Sequence, residues 1–258
     1  MKPEDTISAA PNAQTKHRGH DWLSSVREIS SSEVSAKLVG LNETDARIRS
    51  LKLMRSTLAR RLKEEGCRVI GITSPLPNVG KSFIASNLAA SMSRISSNLL
   101  ILADLDLQRP SVTEYFPLEP SNGVIEYLRS EASSMTEIAQ RIEGLDLAIL
   151  PTFQRDCVSA ELLASERFDD FMSKVRALSE EAIVFCDMPP LLVNDDALLI
   201  TTKLDGVIFV VEQSVTTQKQ LEAAVDLVQP TKIIGTVMNR YSGPVGDDYG
   251  RYSSYEYY

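Results

Sequence analysis

Residues 68–82 read RVIGITSPLPNVGKS, and the reading of this stretch decides the fold. The apolar, largely β-branched run Val69-Ile70-Gly71-Ile72-Thr73 predicts a buried strand. FIASNLAASM follows Ser82 and predicts a helix that begins at once. A strand, a tight loop and a helix N-terminus in that order form an anion site. Backbone N–H groups and the positive end of the helix dipole converge on one point. In such a loop Lys81 reaches the β/γ-phosphates and the Ser82 hydroxyl holds Mg²⁺. The loop departs from the full G-x-x-x-x-G-K-[ST] pattern, because Pro75 stands where the first glycine belongs. Gly-Lys-Ser alone is compatible with an ordinary βα turn. Its place between an apolar strand and an Ala/Leu helix points to nucleotide binding.

With 258 residues, 43% hydrophobic and 24% charged, the chain can bury one substantial core. Residues 1–44 are polar and without pattern, and residues 241–258 are rich in Tyr, Gly, Ser and Asp. Both are expected to be flexible tails around one domain at 45–240. A formal charge of −8 argues against nucleic acid as the main partner, since phosphate contacts need a basic footprint. No stretch approaches the ~20 apolar residues of a membrane span, and the polar N-terminus does not read as a signal peptide. Cys67, Cys157 and Cys186 have unrelated spacings and read as small hydrophobes in a reducing cytosol. His17 and His20 read as solvated tail residues.

Residues 45–65 predict a helix with an apolar stripe at Ile48, Leu51, Met54, Leu58 and Leu62. Its other face is basic, from Arg47 to Lys63, and reads either as a solvated face or as a contact for an acidic partner or a membrane surface. Short apolar runs then predict strands at 67–73, 98–103, 145–150, 182–187, 206–212 and 232–238. Helices are expected at 82–95, 123–130, 134–142, 166–179, 194–203 and 216–228. The alternation implies an α/β fold, a mainly parallel sheet with helices on both faces. Ligands bind such sheets at the carboxyl ends of the strands. Chemistry-bearing residues do gather there: Asp104-Leu105-Asp106 and Gln108-Arg109-Pro110 after one strand, Asp187-Met188-Pro189-Pro190 after another, Met238-Asn239-Arg240 after the last. Mg²⁺ takes hard oxygen ligands and keeps its waters, so one hydroxyl and a few carboxylates beside phosphate oxygens suit it. Asp187 fits a water-mediated role at the ion, and Asp104 and Asp106 have room to orient or deprotonate a nucleophile.

Six of the eight tyrosines fall at or after position 241, in YSGPVGDDYGRYSSYEYY. Alone such a tail is low-complexity sequence; beside a nucleotide site the phenols look like phosphoryl acceptors.

Over residues 45–258 the chain resembles the bacterial tyrosine kinases (BY-kinases) of capsule and exopolysaccharide biosynthesis, P-loop proteins related to MinD/ParA. The resemblance rests on Thr73–Ser82, on Asp104-Leu105-Asp106, on Asp187-Met188-Pro189-Pro190 and on the tyrosine cluster. It implies ATP with Mg²⁺ as donor, with Pro77, Asn78, Val79, Gly80, Lys81, Ser82 and Phe83 around the nucleotide and Asn239 reading the adenine. It implies Lys81, Asp104 and Asp106 as catalytic residues, Asp104 being the base. Ser82, Asp104 and Asp187 are the implied metal residues, with Asp106 supporting them. Tyr249, Tyr252, Tyr255, Tyr257 and Tyr258 become the phosphoacceptors. The implied partners are a separate membrane-spanning polysaccharide co-polymerase that activates the kinase, a cognate tyrosine phosphatase and further copies of the chain. The implied place is the cytoplasmic side of the cell membrane.

Three departures stand out. Gln108 replaces the arginine of D-x-D-x-R, and Asn78-Val79 replace Gly-Glu. The oligomer motif E-x-x-R-x-x-R aligns with Arg49, Lys52 and Arg55 but lacks its glutamate. Two other readings stay open at this point. One is a MinD/ParA-like positioning ATPase, which would carry a lysine where Leu76 stands. The other is a nucleotide-binding regulator that transfers nothing.

Overall fold

A computed structural model describes residues 22, 24–30, 37–42, 44–45, 47–95 and 99–242. The five tail tyrosines expected to accept phosphate, and both histidines, lie outside the described residues. The centre is an eight-stranded sheet in the order β1-β4-β5-β3-β6-β2-β7-β8. Its strands are β1 (Arg27–Ile29), β2 (Val69–Thr73), β3 (Leu99–Asp104), β4 (Gln140–Ile142), β5 (Leu147–Leu150), β6 (Ala182–Asp187), β7 (Gly206–Glu212) and β8 (Ile233–Asn239). All pairings are parallel except β4 with β5. Every residue of β2, β3, β5 and β6 is buried. That is why these strands are continuous apolar runs and not alternating ones.

The helices are α1 (Ile48–Glu65), α2 (Lys81–Ser93), α3 (Val124–Leu128), α4 (Met135–Ile138), α5 (Ser159–Leu163), α6 (Glu166–Leu178), α7 (Asp196–Thr201) and α8 (Gln218–Leu227). They close two cores, one on each face of the sheet. On one face Leu58 and Leu62 of α1 and Leu88 of α2 pack with Ile70, Leu102 and Phe185. On the other, Phe168 and Phe171 of α6, Ile200 of α7 and Ala224 of α8 pack with Ile101, Val184 and Phe209. The expected α/β architecture is the one observed.

In α1, Ile48, Leu51, Leu58 and Leu62 are buried and Met54 packs on the core, which reproduces the apolar stripe. Gly66 ends the helix at φ +67°, a left-handed conformation that glycine adopts without a Cβ penalty. The basic face is partly spent inside the fold. Arg55 donates to the Ser91 carbonyl at 3.1 Å and Arg61 to the Ile234 carbonyl at 2.6 Å.

Two segments differ from their sequence reading. Residues 134–142, expected as one helix, form the single turn of α4 and then β4. Gln140 is buried, and its amide bonds the Glu119 carbonyl at 2.8 Å and Ser121 Oγ at 3.0 Å while accepting from Glu119 N–H at 3.0 Å. That anchoring and the pairing with β5 override local helix propensity. Residues 27–29, in the stretch before residue 45 expected to lack structure, add β1 to the sheet edge beside β4. A three-residue strand carries too little periodicity to be seen in sequence.

Candidate nucleotide and metal site

β2, β3 and β6 are neighbours, and their carboxyl ends meet at one cleft. The loop after β2 turns with Asn78 at φ +63° and Gly80 at φ +92°, and α2 starts at Lys81. At φ +92° any Cβ would be strained, and one on Gly80 would also displace Asn239 Nδ2, 2.2 Å away, so position 80 strongly favours glycine. The cleft measures about 490 Å³ and is lined by Pro77, Asn78, Gly80, Lys81, Ser82 and Phe83 from this loop. Asp106, Arg109 and Ser111 line it from the loop after β3, Pro189 and Pro190 from the loop after β6, and Arg240 from the end of β8. Lys81, Arg109 and Arg240 give it the cations a polyphosphate needs, and the amino end of α2 adds its dipole.

The register of β3 against β6 puts Asp104 directly opposite Asp187. Both are fully buried. Asp104 Oδ2 accepts from the N–H groups of Ser111 and Val112, each at 3.1 Å, and Oδ1 from Asp106 N–H at 3.3 Å. Burial and the facing Asp187 charge still push its carboxyl well above the usual range. Asp187 has no such support: neither oxygen has a hydrogen-bond partner of ordinary geometry among the described residues. Burial raises its pKa to about 7, while the Lys81 charge and the adjacent Ser82 hydroxyl pull it down. Ser82 Oγ also accepts from Ser111 Oγ at 2.7 Å, which leaves its own proton free to face Asp187. A fully buried carboxylate with two unused oxygens, next to a hydroxyl and a lysine, is what a hard cation completes. No group of three or more His, Cys, Asp or Glu able to ligate a metal occurs among the described residues. Mg²⁺ takes hard oxygen ligands and keeps its waters, so one hydroxyl and a carboxylate beside phosphate oxygens would be enough to hold it. The residues fit the ion.

Asp106 lines the cleft and is 7% exposed. Burial raises its pKa, and Lys81 and the Arg109 N–H oppose the rise. Asp104 and Asp187, by contrast, are fully buried and do not themselves line the cleft. Val79 is buried beneath the loop, where its carbonyl accepts from Asn239 Nδ2 at 2.9 Å. Asn239, expected at the adenine, is thus bonded to the phosphate loop. Phe83 meets Tyr115 edge-on, ring centroids 6.4 Å apart, at one wall.

Sequence reasoning passed over three groups here. Ser111 bridges Asp104 and Ser82. Tyr115 and Glu114 line the wall, with Lys37 bonded to Glu114 at 2.7 Å. Asp196, buried at the start of α7, answers what Gln108 does: Gln108 Nε2 donates to Asp196 Oδ2 at 2.9 Å and to Ser159 Oγ at 2.8 Å. Asp196 Oδ1 is left without a partner. Position 108 therefore clasps the loop after β3 to α5 and α7, and glutamine fills the clasp with one donor group. Only the acid-terminated strands signalled this region; the partners come from distant segments.

A glycine-turned loop running from a buried parallel strand into a helix, with facing carboxylates on the neighbouring strands, defines a P-loop nucleotide-binding protein. No family model matches the chain. Tyrosine-protein kinase YwqD of Bacillus subtilis is 30% identical over 189 residues, 72% of this chain and 76% of that protein. Tyrosine-protein kinase ptk of Acinetobacter johnsonii is 31% identical over 201 residues, 77% of this chain and 27% of that protein. The succinoglycan biosynthesis transport protein ExoP of Rhizobium meliloti is 32% identical over 200 residues, 73% of this chain and 24% of that protein. The chain thus spans about a quarter of those two longer relatives. Among solved structures, the kinase domain of the Escherichia coli tyrosine kinase ETK aligns with TM-score 0.69 at 23% identity, covering 80% of this chain and 82% of that one. The septum site-determining protein MinD of Pyrococcus horikoshii shares the fold at TM-score 0.57 and 17% identity, over 68% of this chain and 71% of that one. The chain belongs to the bacterial tyrosine-kinase family.

Proposed function

We propose that this chain is an ATP-dependent protein-tyrosine autokinase that phosphorylates its own C-terminal tyrosine cluster and thereby regulates exopolysaccharide or capsule export. The observation that carries the reading is the buried, unpartnered Asp187 beside Lys81 and Ser82, in a chain of this family that ends in a row of phenols. ATP with Mg²⁺ supplies the phosphoryl group and the charge neutralisation that transfer requires. The chain's own residues do the rest. Loop N–H groups from Asn78 to Ser82 and the Lys81 ammonium would hold the β/γ-phosphates, with Arg109 and Arg240 lining the same cleft. Ser82 and Asp187 hold the ion, with Asp104 behind them. A base must come within hydrogen-bond reach of the phenol, directly or through one water. Asp106 already faces the cleft. For Asp104 to serve as base, the loop at Ser111 and Val112 must release one of its oxygens.

Activation by a separate membrane-spanning co-polymerase, removal of phosphate by a cognate phosphatase, self-association, and work at the inner face of the membrane complete the proposal. Among the described residues no helix is long and apolar enough to cross a membrane. Leu76, where a positioning ATPase would carry lysine, is an apolar residue packed on the core, which favours the kinase. Gln108 keeps its loop tethered, which favours transfer over an inactive regulator. Incubation with labelled ATP followed by phosphoamino-acid analysis tests the reading, and phosphotyrosine is the expected product. Truncation before Tyr249 should remove most of that label and leave nucleotide affinity intact; a hydrolysing chain that yields no phosphotyrosine would refute the kinase reading.

A further inference from the structure

Ser111 sits where the loop after β3 crosses in front of the phosphate-binding loop. Its hydroxyl donates to Ser82 Oγ at 2.7 Å, and its backbone N–H donates to Asp104 Oδ2 at 3.1 Å. One residue therefore ties the carboxylate that closes β3 to the hydroxyl in the first turn of α2.

A serine hydroxyl has one proton to donate and two lone pairs with which to accept. To ligand a cation, Ser82 must turn one lone pair toward it and point its proton elsewhere. With Ser111 on one lone pair, the proton is left for Asp187, whose oxygens are buried, unpartnered and within the influence of that hydroxyl. The second lone pair is then left for the cleft that Ser82 lines. Without Ser111 the hydroxyl is a rotor with three staggered wells, of which only some present a lone pair to the ion.

We infer that Ser111 is a positioning residue for the divalent cation: by bonding Ser82 Oγ it fixes that hydroxyl in the rotation that offers a lone pair to Mg²⁺. The inference rests on the Mg²⁺–nucleotide reading of the cleft and deepens it. Ser111 acts through Ser82, and its backbone contact to Asp104 does not depend on its side chain.

The experiment titrates a fluorescent ATP analogue against the full chain at a series of Mg²⁺ concentrations and again in EDTA. Ser111→Ala should raise the Mg²⁺ concentration for half-maximal tightening by about threefold to tenfold, the size expected for one hydrogen bond. Ser111→Thr, which keeps the hydroxyl, should restore the wild-type value. Affinity in EDTA should stay unchanged in both. If the alanine variant melts early, Ser111→Cys preserves the volume with a weak donor and should shift the Mg²⁺ requirement the same way. An unchanged Mg²⁺ requirement, or an equal loss of affinity with and without Mg²⁺, would overturn the inference. Wild-type protein that binds no nucleotide at any Mg²⁺ concentration would instead sink the reading of the cleft, and the inference with it.

Discussion

β3 and β6 end alike in sequence, each an apolar run closing on an aspartate, and they lie side by side with Asp104 opposite Asp187. Their surroundings are opposite. The loop after β3 folds back so that three backbone N–H groups meet Asp104. The chain after β6 runs on into Met188-Pro189-Pro190, and proline has no N–H to give. The buried Asp187 carboxylate therefore has no backbone donor, and neither of its oxygens has a hydrogen-bond partner of ordinary geometry among the described residues. One carboxylate organises a loop; the other is left with two unused oxygens, which the proposed function assigns to a cation. An orphaned charge of this kind costs stability and persists where function requires it.

The largest effect tests Lys81, whose charge acts on both Asp187 and Asp106. Lys81→Met should cut phosphotyrosine formation at least about a hundredfold, because transfer depends on preorganised charge. Near-normal labelling would separate Lys81 from the site altogether.

The two aspartates should then part company in thermal melts. Asp104→Ala strands three N–H groups, two of them buried, and should cost about 1–3 kcal/mol, a fall of several degrees in Tm for a chain of this size. Asp187→Asn removes an unbalanced buried charge and should raise the Tm of the ligand-free protein while abolishing the Mg²⁺ dependence of nucleotide binding. Equal falls in Tm for both variants would erase the distinction.

Smaller, and more diagnostic, is the response to pH. Burial lifts the Asp187 pKa from 3.8 to about 7, so the folded state binds its proton more tightly than the unfolded chain does. The ligand-free protein should therefore lose stability as pH rises across that window, and bound Mg²⁺–nucleotide should counter the loss. Melts from pH 5 to 8 check the sign. Asp187→Asn should reduce the slope without abolishing it, since Asp104 and Asp106 are raised too, and a wild-type Tm that climbs through the window would contradict the assignment.

The least change is expected at the clasp behind β3. Gln108→Arg offers a second donor to the unpartnered Asp196 Oδ1 and should stabilise by about 1 kcal/mol, seen as a Tm gain of about 2–4 °C. A loss of stability would show that the pocket around Ser159 and Asp196 is shaped for glutamine.

The strand–loop–helix at residues 69–93, the parallel core strands, the stripe of α1 and the two acid-terminated strands are all legible along the chain. All of these are local signals, periodicity or residue type within a few positions, and burial on both faces makes core strands uniformly apolar. Tertiary structure alone decided that β1 and β4 join the sheet, because two three-residue strands exist only through pairing. It alone also decided which aspartate is satisfied, that Asn239 serves the phosphate loop, that Gln108 finds Asp196, 88 positions along the chain, and that Ser111 meets Ser82. A carboxylate's role depends on which donors surround it. Those donors come from segments that only the closed fold brings together, so no pattern along the chain records them.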